Sequence, residues 1–178
     1  LIFTQTPLPG AWLIDVEPRS DARGCFARTV CRSEFAQVGL DGSFVQQSIS
    51  WNPNRGTLRG MHYQAAPFEE DKLVRVTRGA IFDVIVDLRI ASPMRGRWFA
   101  VDLTAENRRQ IYVPKGFAHG FQTTEPDTEV LYEMTVPYQP EAVRGVRWDD
   151  PHLGIVWPAA ERRLISDKDE QLPPYWHT

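Results

Sequence analysis

Long apolar runs are missing from this chain of 178 residues. Nothing in it approaches the roughly 20 residues that a membrane-spanning helix requires. Cysteine is scarce, with only Cys25 and Cys31 present. A disulfide framework needs more, and their spacing fits no zinc pattern, so free thiols in a reducing, cytoplasmic compartment are expected. An excess of positive charge is also lacking. The net charge is -3 and the pI about 5.8, which disfavours non-specific binding to nucleic acid. No charged and apolar leader precedes a cleavage site, so secretion is not indicated. Internal repeats, low-complexity tracts and linkers are absent as well. Residues 1–178 are therefore expected to form a single domain, long enough for a real core. Helix signals are few: Ser33–Val38 before Gly39 reads as one short helix, and a helical turn is expected around residues 159–163.

Strand signals fill what remains. Leu73–Thr77 stops at Arg78-Gly79, and Ile81–Leu88 is a β-branched run that breaks before Pro93. Trp98–Leu103, Gln110–Val113, Gly120–Thr123 and Glu129–Met134 follow at close spacing, separated by Gly/Pro turns. Short strands in such a series argue an all-β sandwich or barrel. The two-residue period then assigns faces. His62 shares a face with Gln64, Lys72 with Val74 and Val76, and Tyr132 with Met134. If those faces line an interior, His62, Lys72 and Tyr132 converge. Asp83 and Asp87 alternate with apolar positions and are expected to bond locally or to pair with Arg75 or Arg89. The tryptophans read as core or interface packing.

The most informative segment is Leu58-Arg59-Gly60-Met61-His62-Tyr63-Gln64, with Lys72 opening the next strand. Imidazole takes up a proton near neutral pH. An ammonium in the same pocket holds the negative charge that such a transfer creates.

Several motifs stand in order along the chain. They are the segment around His62, Lys72–Arg75, Phe82–Arg89, Pro114–Phe121, and Trp148–Pro151 continuing through Ile155–Pro158. Together they resemble the dTDP-4-dehydrorhamnose 3,5-epimerase family, over about residues 10 to 170. The resemblance implies a cupin-type jelly-roll β-sandwich with short peripheral helices, and a homodimer. It also implies cofactor-free epimerisation, at carbons 3 and 5, of a nucleoside-diphosphate 4-keto-6-deoxy sugar in rhamnose-type biosynthesis. Carried over by position, His62 is similar to the family's catalytic base, Tyr132 to its acid and Lys72 to its enolate stabiliser. Asp169 resembles the carboxylate that orients the histidine, with Asp167 the competing candidate. Gln46, Arg59, His119, Tyr138 and Lys168 resemble substrate-binding groups. Arg23 and Phe26 match the motif at the nucleotide end.

These residue types suit the chemistry. A hydrogen beside a ketone is weakly acidic because the resulting anion spreads onto the ketone oxygen. A neutral histidine removes it, a carboxylate on the other ring nitrogen fixes the tautomer, and inversion needs a donor such as a phenol on the opposite face. One well-placed donor to the enolate oxygen contributes about 3–4 kcal/mol in such sites. Arg59 suits the bidentate recognition of a diphosphate. A metal-dependent cupin would show His-x-His, whereas Gln stands at position 64, so no metal is expected. Three residues depart from the family. Arg28 stands where a glutamate is usual, and Ser48-Ile49 where Asn and His are frequent. A cytidine- or guanosine-linked substrate, a single-site 3- or 5-epimerase, and a non-catalytic nucleotide-sugar-binding cupin all stay open.

Overall fold

A computed structural model describes residues 1–177 of the chain. Its strands are β1 (Ile2–Gln5), β2 (Trp12–Asp15), β3 (Arg19–Asp21), β4 (Gly24–Phe26), β5 (Gln46–Asn52), β6 (Leu58–Gln64) and β7 (Lys72–Arg78). They continue with β8 (Ala80–Asp87), β9 (Trp98–Thr104), β10 (Gln110–Val113), β11 (Phe117–Thr123), β12 (Thr128–Met134) and β13 (Val143–Gly145). The two α-helices are short, α1 (Arg32–Gln37) and α2 (Asp167–Glu170). One sheet has the order β1-β2-β10-β7-β12-β5 and a second the order β13-β6-β11-β8-β9. Every neighbouring pair in both is antiparallel. Strands β3 and β4 form a separate exposed hairpin. The fold is thus the all-β sandwich with small peripheral helices that the strand pattern predicts.

Parity along the strands sorts residues into layers. Val74, Val76, Ile111, Val113 and Val130 of the first sheet meet Ile81, Ile85, Leu103, Phe117 and Phe121 of the second in one buried cluster between the sheets. A second cluster covers the far side of the five-stranded sheet with Met61, Val84, Val86, Leu88, Ala118, Val146 and Leu153. Strand β8 is therefore apolar on both faces, which explains its continuous β-branched run. The far side of the six-stranded sheet is closed by Phe35 of α1, packed with Ile14, Leu73 and Tyr112. Because Val74, Ile85, Phe117 and Phe121 point between the sheets, so do Lys72, Asp83 and His119, which share their parity.

The tail departs from expectation. Residues 159–163 form no helix, and the helical turn lies later, at α2. Arg163 there donates to the Gln122 side chain and to the Pro158 carbonyl, and Leu164 enters a parallel bridge with Thr57. Those contacts hold the backbone extended. At α2 the Ser166 hydroxyl accepts the Asp169 N–H at 3.2 Å, and acidic residues crowd the first turn, the pattern of a capped helix start.

Gly60 sets the spacing of β6 and β11. Its φ is +123°, and a Cβ there would lie 2.5 Å from Gly120 Cα and 2.9 Å from the His119 carbonyl oxygen. This close approach lets His62 and His119 face each other as register partners. Gly60→Ala is expected to lower the unfolding free energy by about 2 kcal/mol or more. A urea titration followed by tryptophan fluorescence measures the loss, and an unchanged midpoint would show that β6 tolerates a side chain here.

Candidate active site

One cavity of about 380 Å³ opens at the end of the sandwich where β6, β7, β11 and β12 meet the C-terminal tail. That size suits a small-molecule ligand. Its walls carry Arg59, His62, Lys72, His119, Tyr132, Tyr138, Lys168 and Asp169. Every one of these is a candidate from sequence, and they come from four strands, the connection after β12 and the tail.

His62 leans on the tail. Its Nε2 lies 2.8 Å from Asp169 Oδ1, and the Gly60 N–H donates to Asp169 Oδ2 at 3.1 Å. Asp169, and not Asp167, is therefore the carboxylate at this histidine. Burial alone would raise the Asp169 carboxyl. The hydrogen bond and charge of His62, with the N–H of Gly60 and the Ser166 contact, outweigh burial and hold it below its ordinary value. An ionised Asp169 accepts from Nε2–H, which leaves the Nδ1 lone pair of His62 as the basic position. The backbone puts the tail in place: Leu58 N–H donates to the Leu164 carbonyl at 2.8 Å, and Leu164 N–H to that of Gly56 at 2.9 Å.

Two further acid–base pairs face the cavity or lie behind it. Lys72 Nζ is 2.5 Å from Glu70 Oε1, and both side chains are largely buried. His119 Nε2 is 2.7 Å from Asp83 Oδ2, deep in the interior. The structure thus gives Asp83 a partner the strand pattern did not indicate, His119, while Asp87 pairs with Arg89 as expected. The reason is parity: Asp83 points between the sheets, where β11 presents His119 in the adjacent register. The rings of His119 and Tyr132 pack edge to face at 5.8 Å. Burial first, and then the nearby Asp83 charge, push the Tyr132 phenol well above its ordinary value, with Arg59 opposing weakly. That phenol stays protonated and is a donor at any ordinary pH.

Other groups are held at the rim. Arg59 Nε donates to Asn52 Oδ1 at 2.8 Å. Gln46 does not line the cavity, but its Oε1 accepts the Tyr138 N–H at 2.8 Å and so fixes the backbone of a residue that does. Arg23 and Phe26 lie outside the cavity of their own chain, on the β3–β4 hairpin. Phe26 is 78% exposed there. Arg28 ion-pairs with Glu34, so its charge is compensated within the chain. Tyr63, within the motif around His62, also lines the cavity, as do Ser50, Glu70 and Ser166, which were not candidates from sequence. Of those three only Glu70 carried a signal, since it stands two residues before Lys72. Among the described residues no group of three His, Cys, Asp or Glu side chains comes together as a metal site.

Comparison with known proteins gives a consistent result. A family model described as dTDP-4-dehydrorhamnose 3,5-epimerase matches residues 5–176. The dTDP-4-dehydrorhamnose 3,5-epimerase of Sinorhizobium fredii is 44% identical over 160 residues, 89% of this chain and 82% of that protein. The crystal structure of the Bacillus anthracis enzyme of the same name, with TDP and PPi bound, superimposes with a TM-score of 0.94 at 40% identity. It covers 97% of this chain and 98% of the other. A Legionella pneumophila dTDP-6-deoxy-D-glucose-3,5-epimerase in complex with dTDP-4-keto-L-rhamnose superimposes with a TM-score of 0.93 at 35% identity, covering 98% and 92%.

The depressed Asp169 carboxyl has a measurable consequence. A carboxyl whose pKa is lower in the folded than in the unfolded chain adds stability above its unfolded value. That contribution is lost as pH falls through the folded one. Asp169→Asn is expected to reduce stability most above about pH 4, with the gap to wild type closing on further acidification. Urea titrations from pH 7 to pH 3 test this, and a gap that widens towards acid would contradict it.

Proposed function

Because this chain belongs to the dTDP-4-dehydrorhamnose 3,5-epimerase family, we propose that its cavity binds a dTDP-linked 4-keto-6-deoxy sugar and inverts carbons beside the ketone. The protein is an isomerase. One observation carries the residue assignment: His62 is held by Asp169 at 2.8 Å in the same cavity as Tyr132 and Lys72. A paired histidine supplies the base, and Asp169 stabilises the imidazolium that forms. The Lys72 ammonium donates to the ketone oxygen as it gains charge. The Tyr132 phenol, kept protonated by its surroundings, returns a proton to the other face of the ring. Arg59 and Lys168 supply positive charge for the diphosphate, and Tyr138, 53% exposed, offers a ring face to the base. All of these steps use side chains of the chain itself.

The assembly we infer is a homodimer. Strand β5 is an edge of the six-stranded sheet, and around it Val45, Ile49 and Trp51 are 63%, 64% and 54% exposed. An apolar edge of this kind is a template for pairing with a second copy. The β3–β4 hairpin stands away from its own cavity, so Arg23 and Phe26 act on the nucleotide end of a partner's substrate. Cys25 is exposed and Cys31 half-exposed as free thiols, which fits a reducing compartment such as the cytoplasm.

Incubation with the dTDP-linked 4-keto-6-deoxy sugar in deuterated water is expected to place deuterium at carbons 3 and 5. Label at one carbon alone identifies a single-site epimerase. No exchange with thymidine-, cytidine- or guanosine-linked substrates, despite binding, would leave a binding protein and end the enzyme reading. His62→Ala is expected to lower exchange by about 10²-fold or more. Tyr132→Phe is expected to spare exchange at the base side while blocking inversion, and unchanged inversion would reject its donor role. For the dimer, Arg23→Ala and His62→Ala proteins are each expected to be impaired but to regain activity when mixed and allowed to exchange subunits. No recovery would place Arg23 in its own chain's site.

A further inference from the structure

Glu70 is the least explained group in the cavity. It lies in the connection between β6 and β7, two residues before Lys72. Only 6% of the residue is exposed. One carboxylate oxygen contacts Lys72 Nζ at 2.5 Å. The other, Oε2, is buried with no hydrogen-bond partner among the described residues. As a device for stability this is a poor arrangement. A buried ion pair offsets its desolvation only when the remaining lone pairs are satisfied, and an apolar pair of similar volume often does as well. Buried acceptors left half-satisfied are uncommon and call for another reason.

The surroundings supply one. The residues on both sides of Glu70 are pinned. Phe68 N–H donates to the Ala65 carbonyl at 3.0 Å, and its own carbonyl accepts from Gln64 Nε2 at 2.8 Å. Asp71 N–H donates to Thr135 Oγ1 at 2.9 Å, the Asp71 carbonyl accepts the Thr135 N–H at 3.1 Å, and Asp71 Oδ1 accepts the Lys115 N–H at 2.9 Å. Glu70 is therefore a fixed carboxylate on a rigid support. Lysine, by contrast, is a flexible four-carbon stem with three rotatable donors. We propose that Glu70 is a positioning residue, whose carboxylate takes one N–H of Lys72 and so directs the others at the oxygen of the bound ketone. This rests on the epimerase reading above. Glu70 does not touch the reacting carbons. It acts through Lys72, as a supporting carboxylate does for a metal-ligating histidine.

The test uses the isosteric change Glu70→Gln, with Glu70→Asp as a second variant that keeps the charge on a shorter stem. Glu70→Gln is expected to lower kcat for solvent deuterium exchange about tenfold or more, with KM changed less than about twofold. Glu70→Asp is expected to recover part of the loss. In a Lys72→Met background Glu70→Gln is expected to add nothing, because residues that act through one another are not additive. A second readout needs no substrate. The chain has three lysines, Lys72, Lys115 and Lys168, so lysine Cε signals resolve readily by NMR. In the wild-type protein the two Cε protons of Lys72 are expected to be inequivalent, as in an immobilised side chain, and to merge in Glu70→Gln. Equal kcat in wild type and Glu70→Gln, a loss that persists in the Lys72→Met background, or identical Lys72 signals in both proteins would each overturn the proposal. Absence of exchange in the wild type itself would overturn the epimerase reading, and the role of Glu70 with it. Exchange in the wild type with no effect of Glu70→Gln removes Glu70 alone.

Discussion

The contact on which the site depends is the one between the tail and β6, where Asp169 accepts from both His62 and the Gly60 N–H. It joins groups more than 100 residues apart in the chain. A single carboxylate closes the cavity, sets the tautomer of the histidine and takes the N–H of the glycine that keeps β6 close to β11. The backbone bonds of Leu164 bring the tail alongside β6, and the Ser166 cap then turns Asp169 inward. Losing any of these loosens the others, because the tail has few buried apolar side chains of its own and is held mainly by hydrogen bonds.

Charge pairing is the second constraint. The interior of the sandwich holds three acid–base pairs, His62 with Asp169, His119 with Asp83, and Lys72 with Glu70. In a low dielectric an unpaired charge is costly, so the buried Lys72 ammonium comes with its own carboxylate. The same low dielectric strengthens any donor aimed at a developing anion. Tyr132 sits among these charges without being one of them. Its surroundings disfavour the phenolate, so it remains a proton donor. The division of labour proposed for base and acid rests on environment, since histidine and tyrosine meet different neighbours in one cavity.

Much of this was legible in the chain. The β-branched run of β8 and the two-residue spacing of Lys72, Val74 and Val76 place one face inward, and β7 and β8 obey. The motif around His62 and the positions of Tyr132 and Lys72 name groups that share one cavity. Other parts were not legible. The strands β1, β2 and β5 are short or mixed in polarity and owe their state to pairing at sheet edges, which local pattern does not encode. The turn expected at residues 159–163 gave way to Arg163 and Leu164, whose long-range contacts outweigh a weak helical preference. Asp83 pairs with His119 and not with an arginine, a partner on the neighbouring strand that sequence distance hides.

Which residues point inward, and which chemical groups are available, follow from the chain alone, because side-chain alternation and residue chemistry are local properties. Tertiary structure alone decided which group meets which. It chose Asp169 over Asp167 for His62, gave Asp83 to His119 and Glu70 to Lys72, and left Arg23 and Phe26 outside their own chain's cavity. Those are contacts across strands and from the tail. They are set by sheet register and by where backbone hydrogen bonds bring distant segments together, and no local spacing carries that information.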